Sequence, residues 1–352
     1  MGFLHKRPKK SLSTPGSTTG SSEDAAQQPE FIRDGDADAN AATFPDGIKV
    51  WQNPSSPTVD ICFIHGITGD RDRTWTARGK SEPWPKLLLT AKLPNARLLT
   101  FGYDAYVVGG EVSLNRLTDH ANNLLNDLTI SREDDDAVLR PLIFVVHSMG
   151  GLVCKEAILQ SRNSPYLFLQ HLFQSLKGIV FLGTPHQGSW MARWAIIPIS
   201  AIGVVNFANK LWFLYHRCLL RINKSLPQIS KSHQQIEESL TQISNSLPQI
   251  NKSLLQILQT DDQLLESLHV KFLAMIHQLR DEGRDIEIVC FFEELPLPLF
   301  GTVVSKESAT LPSYNVQGIR ATHSDMVKFS TAEEDGFVRV FESLRMWELQ
   351  VR

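Results

Sequence analysis

The chain has 352 residues and a formal net charge of −3, with 35 Lys and Arg residues against 38 Asp and Glu residues. This balance excludes a protein with a concentrated basic face, so no nucleic-acid partner is expected. Residues 1–45 are rich in Ser, Thr, Gly, Pro and Asp and contain few large apolar side chains. Such a segment cannot bury enough apolar surface to offset its ordering entropy, which predicts a disordered tail. Residues 46–352 are sufficient for one large α/β domain.

The spacing and surroundings of the cysteines indicate the kind of cellular compartment in which the protein works. Cys62, Cys154, Cys218 and Cys290 follow no zinc-binding spacing, and three of them lie in apolar runs, where a free Cys packs as a small hydrophobe. This usage fits a reducing environment. Because the N-terminus also lacks the apolar core of a signal peptide, we expect an intracellular protein that is not secreted.

Short apolar runs alternate with longer helix-like patterns from about residue 48 onward. Some runs, such as 142–146 and 179–182, are continuously apolar, as in strands buried on both faces of a parallel sheet. The alternation predicts a mostly parallel, doubly wound α/β fold. In chain order, the predicted strands are 48–51, 59–64, 97–101, 141–146, 178–182, 286–292 and 302–304, and the predicted helices are 84–93, 113–128, 151–160, 264–280 and 336–349.

Residues 190–265 interrupt this alternation and are interpreted as an insertion. Their first part, 190–215, is apolar but is broken by Pro198 and Gly203, so it is too short and too interrupted for a membrane span. Two interpretations remain open for it. It is either a buried helix pair, or an apolar lid or membrane-contacting patch beside the active site.

The second part of the insertion carries a heptad repeat. A segment beginning at Ile222 recurs, with small changes, from Ile243. Apolar residues follow one another in alternating steps of four and three between 222 and 257, apart from one gap of seven residues. This spacing is typical of a coiled-coil seam, which Pro227 and Pro248 must kink or interrupt. The favoured interpretation is a helical hairpin packed on the body of the domain. The alternative is self-association through 222–257.

The strongest chemical signal is a buried strand that runs directly into the sequence His-Ser-Met-Gly-Gly at 147–151 and then into a helix. This arrangement predicts a nucleophile elbow, in which Ser148 lies on a sharp turn with its hydroxyl raised above the sheet. Gly150 supplies the small residue that lets the following helix approach the strand. The usual pattern is G-x-S-x-G, and Val146 stands here at the position of the first glycine.

A serine hydroxyl needs a base, and the base needs an acid that fixes its tautomer. Chains with this elbow supply the three groups in the order Ser, acid, His. His323 lies between the last predicted strand and the closing helix, where the base is expected. For the acid, Glu293 and Glu294 follow the strand 286–292, and Glu307 is a competing candidate.

Acyl transfer also needs hydrogen-bond donors for the developing oxyanion. One is expected to be the backbone N–H of Met149, directly after the nucleophile. The other is expected to be the N–H of Ile67, in the loop after the strand 59–64, where Gly66 lets the backbone approach the substrate. His65 is interpreted as a residue that orders this loop rather than one that transfers protons.

Taken together, these motifs resemble the serine-active-site-containing protein family, and more broadly the lipase-like group of GPI inositol deacylases and fungal lipase-like domains. The resemblance covers about residues 48–350, except 216–262. The motifs that carry it are Phe-Ile-His-Gly-Ile-Thr-Gly-Asp at 63–70, Val-His-Ser-Met-Gly-Gly-Leu-Val at 146–153, Phe-Leu-Gly-Thr-Pro-His-Gln-Gly-Ser at 181–189, Phe-Phe-Glu-Glu-Leu-Pro at 291–296 and Gly-Ile-Arg-Ala-Thr-His at 318–323.

The resemblance implies an α/β-hydrolase fold with a helical insertion or cap after the sixth strand. It implies ester hydrolysis or acyl transfer on lipid or other esters, with Ser148 as nucleophile and His323 as base, and it favours Glu293 for the acid. No metal or organic cofactor is required. By the same resemblance, association with mitochondrial or endoplasmic reticulum membranes is expected. The competing hypothesis is a catalytically silent scaffold that self-associates through 222–257.

Overall fold

The computed structural model describes residues 46–67, 69–103, 105, 114–135, 137–187, 263, 265–297 and 301–351. The predicted disordered tail, 1–45, lies outside these residues, as does all of 190–265 except 263 and 265. The lid, hairpin and self-association hypotheses therefore stay predictions.

A single seven-stranded sheet organises the described residues, with the strand order β1-β3-β2-β4-β5-β6-β7. Every neighbouring pair is parallel except β1 and β3, which are antiparallel. The strands are β1 (Gly47–Gln52), β2 (Val59–Ile64), β3 (Ala96–Gly102), β4 (Leu142–His147), β5 (Leu176–Leu182), β6 (Glu287–Glu293) and β7 (Asn315–Ile319).

Helices cover both faces of the sheet, which explains the continuously apolar strands. In β4 every residue is buried. Leu142, Phe144 and Val146 join the core cluster on one face, while Ile143 and Val145 join the cluster on the other, as the two-residue period of a strand requires. The helices are α1 (Leu114–Glu133), α2 (Gly150–Asn163), α3 (Leu167–Ser175), α4 (265–281) and α5 (Asp335–Leu349), with a short 3₁₀ helix at Arg73–Trp75 and a π-helical turn at Pro85–Leu89.

The predicted strand at 302–304 is wrong. Val303 and Val304 are buried against Ala309 in a small apolar cluster beneath a loop, so the apolar run reflects burial without sheet pairing. The last strand is instead β7, whose half-exposed, polar and glycine-containing sequence gives no apolar run. Helix α3 was also not predicted, and the predicted helix at 84–93 contains only the short π-helical turn.

The topology is that of the α/β-hydrolase fold, as predicted. Strand β4 runs into a tight turn and then into α2, which is the strand–turn–helix of the elbow. The segment assigned to the insertion follows β5, the fifth strand of this sheet, so its expected position after a sixth strand is one strand too late. The loops after β2, β4, β6 and β7 all leave from the carboxyl edge of the sheet, where open α/β sheets bind ligands.

Candidate active site

Ser148 occupies the turn between β4 and α2 with φ of +52°. Positive φ is unfavourable for a residue with a Cβ atom, so the surrounding structure must hold this conformation. The backbone N–H of Ser148 donates to the carbonyl of Leu182 at 3.0 Å, and its carbonyl accepts from Gly151 N–H at 3.1 Å. The side chain is 1% exposed, and its Oγ has no hydrogen-bond partner among the described residues. The fold thus fixes the backbone of Ser148 and uses its hydroxyl for no hydrogen bond among the described residues.

Two glycines let the β2 loop lie directly against this turn. A Cβ atom added at Gly66 would lie 2.7 Å from the Cβ of Ser148, and one added at Gly150 would lie 2.6 Å from the carbonyl oxygen of Ile64. Real Cβ atoms do not approach so closely, so both positions require glycine. Val146, by contrast, is fully buried in the core cluster that α1 and α2 form on one face of the sheet, so a valine side chain is accommodated at the position of the first glycine.

The structure brings Glu293 and His323 together. Nδ1 of His323 lies 2.7 Å from Oε2 of Glu293, and both side chains are buried. The other carboxylate oxygen accepts a hydrogen bond from the backbone N–H of Val303. A carboxylate only accepts, so Nδ1 carries the ring proton and Nε2 is the basic nitrogen of the neutral ring. Glu294 and Glu307, the other two candidates, are both exposed.

Gly183 forms the floor beneath the His323 ring, and its role was not predicted. It has φ of +59°, and an added Cβ would lie 2.9 Å from Cε1 of His323 and 3.0 Å from the sulfur of Met326. Its N–H donates to the carbonyl of Phe291 at 2.8 Å, which fixes it to β6. The Phe-Leu-Gly-Thr-Pro motif contained a sequence signal for this role. A glycine directly after a buried strand often marks a place where another part of the chain packs closely against the backbone.

His65 orders the loop after β2 through three hydrogen bonds and one ring contact. Its Nδ1–H donates to the carbonyl of Gly66 at 2.9 Å, and its Nε2 accepts from Tyr103 N–H at 3.4 Å. The Tyr103 hydroxyl donates to the His65 carbonyl at 2.8 Å, and the two rings stack with centroids 4.4 Å apart. Burial lowers the pKa of His65 to about 4, so the ring is neutral near pH 7. These contacts support the loop-ordering interpretation over a proton-transfer role.

The two expected oxyanion donors belong to the elbow itself and to the β2 loop packed against it. Met149 is the N-cap of α2, where backbone N–H groups have no partner within the helix. Ile67 follows Gly66, the residue packed against Ser148, and the turn that contains it is closed by a hydrogen bond of 3.1 Å from Gly69 N–H to the Gly66 carbonyl. Both residues are 8% exposed.

We expect Gly66→Ala to lower kcat/KM for an ester by about 100-fold, since a misplacement of about 1 Å near reacting groups costs that much. The added methyl must displace either the Ile67 loop or Ser148 itself. Ester hydrolysis and thermal unfolding measure the effect. Gly79→Ala is the control, because an added Cβ there meets nothing within 4 Å and only the positive φ is strained. Equal activities of Gly66→Ala and Gly79→Ala would contradict the close packing of Gly66 against Ser148.

A second buried polar group lies on α2, the helix that follows Ser148, and sequence reasoning missed it. Lys155 on α2 is fully buried, and its Nζ lies 2.7 Å from Nδ1 of His186. Nε2 of His186 lies 3.7 Å from the sulfur of Cys290. Burial lowers the pKa of Lys155 to about 7 and holds that of His186 well below its ordinary value. Among the described residues no carboxylate forms an ion pair with Lys155.

Over the part of the chain that the structure describes, no three His, Cys, Asp or Glu side chains are grouped as metal ligands. Within the same residues, no helix is both long and apolar enough to cross a bilayer.

The chain is similar in sequence to Protein SERAC1 of several vertebrates, which confirms the resemblance predicted from the motifs. The Danio rerio protein is 29% identical over 183 aligned residues, covering 46% of this chain and 27% of that protein. The Mus musculus protein is 29% identical over 156 residues, covering 39% and 23%, and the Homo sapiens protein is 24% identical over 176 residues, covering 44% and 26%. The chain thus spans about a quarter of the length of these relatives. No family model matches it.

Solved structures similar to the chain include the following three. MenH from S. aureus has a TM-score of 0.40 and 13% identity, covering 87% of this chain and 98% of that one. An esterase from Thermogutta terrifontis has a TM-score of 0.39 and 14% identity, covering 86% and 93%. The type II thioesterase YbtT has a TM-score of 0.37 and 13% identity, covering 85% and 98%. At these identities the likeness concerns the fold alone.

Proposed function

We propose that the protein is a serine hydrolase that cleaves or transfers the acyl group of carboxyl esters. One observation carries the proposal. A buried serine with no hydrogen-bond partner among the described residues lies on a strained elbow, at the same edge of the sheet as a buried His323–Glu293 hydrogen bond of 2.7 Å. These three residue types, in the chain order Ser, acid, His, are the constellation of serine esterases in this fold.

In the proposed mechanism, Oγ of Ser148 attacks the ester carbonyl while Nε2 of His323 takes its proton. Glu293 keeps the ring in the tautomer with Nδ1–H and stabilises the imidazolium that forms. The N–H groups of Met149 and Ile67 stabilise the oxyanion of the tetrahedral intermediate. His323 then protonates the leaving alcohol, which leaves an acyl-Ser148 ester. Water, or an acceptor alcohol, attacks that ester in the same way and releases Ser148.

The substrate class that we propose is lipid esters. The support is the resemblance of the motifs to the lipase-like group, and the apolar composition of 190–215 is what a lipid-facing lid would need. Contact with mitochondrial or endoplasmic reticulum membranes is part of the same proposal. Flotation with liposomes, lost when Ile196 and Ile197 are both replaced by Asp, would support the membrane contact.

Labelling with a fluorophosphonate probe tests the hydrolase proposal, because the probe reacts covalently with an activated serine. Folded protein should be labelled, and Ser148→Ala should not be. Ser324→Ala is the matched control, since Ser324 is next to His323 in the chain and has no assigned role. A folded wild-type protein that resists the probe would count against the hydrolase and favour the silent scaffold. Labelling that persists in Ser148→Ala would exclude Ser148 as the nucleophile.

A further inference from the structure

His147, the residue before the nucleophile, makes a contact that none of the proposed steps uses. Its Nε2 lies 3.0 Å from the backbone carbonyl oxygen of His323, and the two imidazole rings lie with centroids 4.8 Å apart at an angle of 39°. The side chain is 7% exposed. The last residue of β4 therefore contacts the loop that carries the base.

The chemistry of this contact assigns the tautomer of His147. A carbonyl oxygen only accepts, so Nε2 of His147 carries the proton and donates it to His323. Burial, and then the nearby His323 ring, lower the pKa of His147 well below its ordinary value. The ring is therefore a neutral donor near pH 7. A cation at this position would repel the His323 imidazolium that the reaction requires, and a neutral ring avoids that repulsion.

The sheet order explains why the base needs a second attachment. Glu293 fixes the orientation of the His323 ring, but Glu293 belongs to β6, which is separated from β4 by β5. Proton transfer depends on where His323 lies relative to Ser148, which follows β4. The His147 hydrogen bond runs directly from β4 to the backbone of His323. Because His147 precedes Ser148 in the chain, this bond fixes the position of His323 relative to Ser148.

We propose that His147 is a positioning residue, which holds the His323 backbone at its working distance from Ser148 through the Nε2–H hydrogen bond. The inference rests on the proposed hydrolase function and deepens it. A positioning role of His147 depends on a hydrogen-bond donor at Nε2, whereas a packing role would depend only on the volume of the ring.

Three substitutions separate the donor from the ring. His147→Gln places an amide N–H at the same number of bonds from Cα as Nε2 and should retain the hydrogen bond. His147→Phe keeps a planar ring without a donor, and His147→Asn places its donor one bond too close to the backbone. Hydrolysis of p-nitrophenyl butyrate gives kcat and KM, fluorophosphonate labelling gives the reactivity of Ser148, and thermal unfolding reports the fold.

The Phe and Asn variants should lose about 10- to 100-fold in kcat, because displaced catalytic groups cost up to about 100-fold per ångström, while KM stays within about threefold. The Gln variant should stay within about threefold of wild type in kcat. Equal losses in all three variants, or a Phe variant with wild-type kcat, would overturn the positioning role. If Phe fails to fold, Asn and Gln decide the question. A wild-type protein without labelling or turnover would instead overturn the hydrolase function, and this inference with it.

Discussion

Replacing Glu293 with Gln is expected to lower kcat by about 10⁴-fold, the cost of holding a catalytic histidine in the wrong tautomer. The side-chain oxygen nearest Val303 accepts a backbone hydrogen bond, so a glutamine must place its carbonyl there. Its NH₂ group then faces Nδ1 of His323, where the carboxylate oxygen now lies at 2.7 Å. Nδ1 becomes an acceptor and the ring proton moves to Nε2, the atom that must take the proton of Ser148.

Two matched variants control this prediction. Glu294→Gln and Glu307→Gln change exposed carboxylates, and each should stay within about twofold of the wild-type kcat, because exposed substitutions rarely perturb a buried site. Ester hydrolysis at pH 7 to 8 measures all three, and thermal unfolding checks that each is folded. A large loss in Glu294→Gln or Glu307→Gln, with Glu293→Gln active, would show that the wrong carboxylate has been assigned to the triad.

Replacing Lys155 with Met is expected to stabilise the protein at neutral pH by about 1–4 kcal/mol, because the amine is buried without a carboxylate partner among the described residues and a pKa lowered to about 7 corresponds to a cost of this order. The Nζ of Lys155 lies over the rings of Phe272 and Phe181, at 5.1 and 5.7 Å from their centroids. A thioether suits these surroundings better than an ammonium group. The lost hydrogen bond to His186 offsets part of the gain.

The pH dependence distinguishes this explanation from a packing effect. Burial lowers the pKa of Lys155 from its ordinary value of 10.5 to about 7. Between these two values the unfolded chain binds more protons than the folded one, so this group makes the free energy of unfolding rise with pH. The rise across the whole window is about 5 kcal/mol for a shift of this size. Below pH 7 both states are protonated and the contribution is constant.

Chemical unfolding of wild type and Lys155→Met between pH 6 and 10 measures this difference. The free energy of unfolding of Lys155→Met should exceed that of wild type most near pH 7 and below, and the difference should shrink as the pH rises. The cysteines, whose pKa values burial raises, are present in both proteins, so their effect largely cancels. Lys271→Met, an exposed change on α4, should stay within about 0.5 kcal/mol of wild type. A pH-independent loss of stability in Lys155→Met would show that the buried amine stabilises the fold.

Sequence patterns predicted the parts of the fold that are continuous in the chain. The run 142–146 followed by His-Ser-Met-Gly-Gly specified β4, the turn and α2, because burial on both faces and a glycine-rich turn each leave a local signature. The fold class and the resemblance to known proteins are confirmed. Strand β7 was missed because an edge strand with one half-exposed face need not be apolar.

The contacts across the sheet could not be predicted from the chain alone. Three carboxylates were candidates for the acid by sequence, and only the fold shows which of them is hydrogen-bonded to His323. Gly183 and His147 stood inside quoted motifs, yet their contacts with His323 join residues from different strands. The burial of Lys155 could not be predicted either, since a lysine in an amphipathic helix is ordinarily assigned to the solvent face.

The hydrogen bond of 3.0 Å between the side chains of Gln187 and His269 joins residues that are 82 positions apart in the chain. The ends of the intervening segment are therefore pinned together by the hydrolase body itself. Closing a loop grows more costly only with the logarithm of its length, about 0.6 kcal/mol per doubling. Lengthening, shortening or exchanging this segment should thus leave the folding of the body almost unaffected. Because both ends of this segment meet at one place on the α/β domain, the domain should accept segments of very different lengths between them.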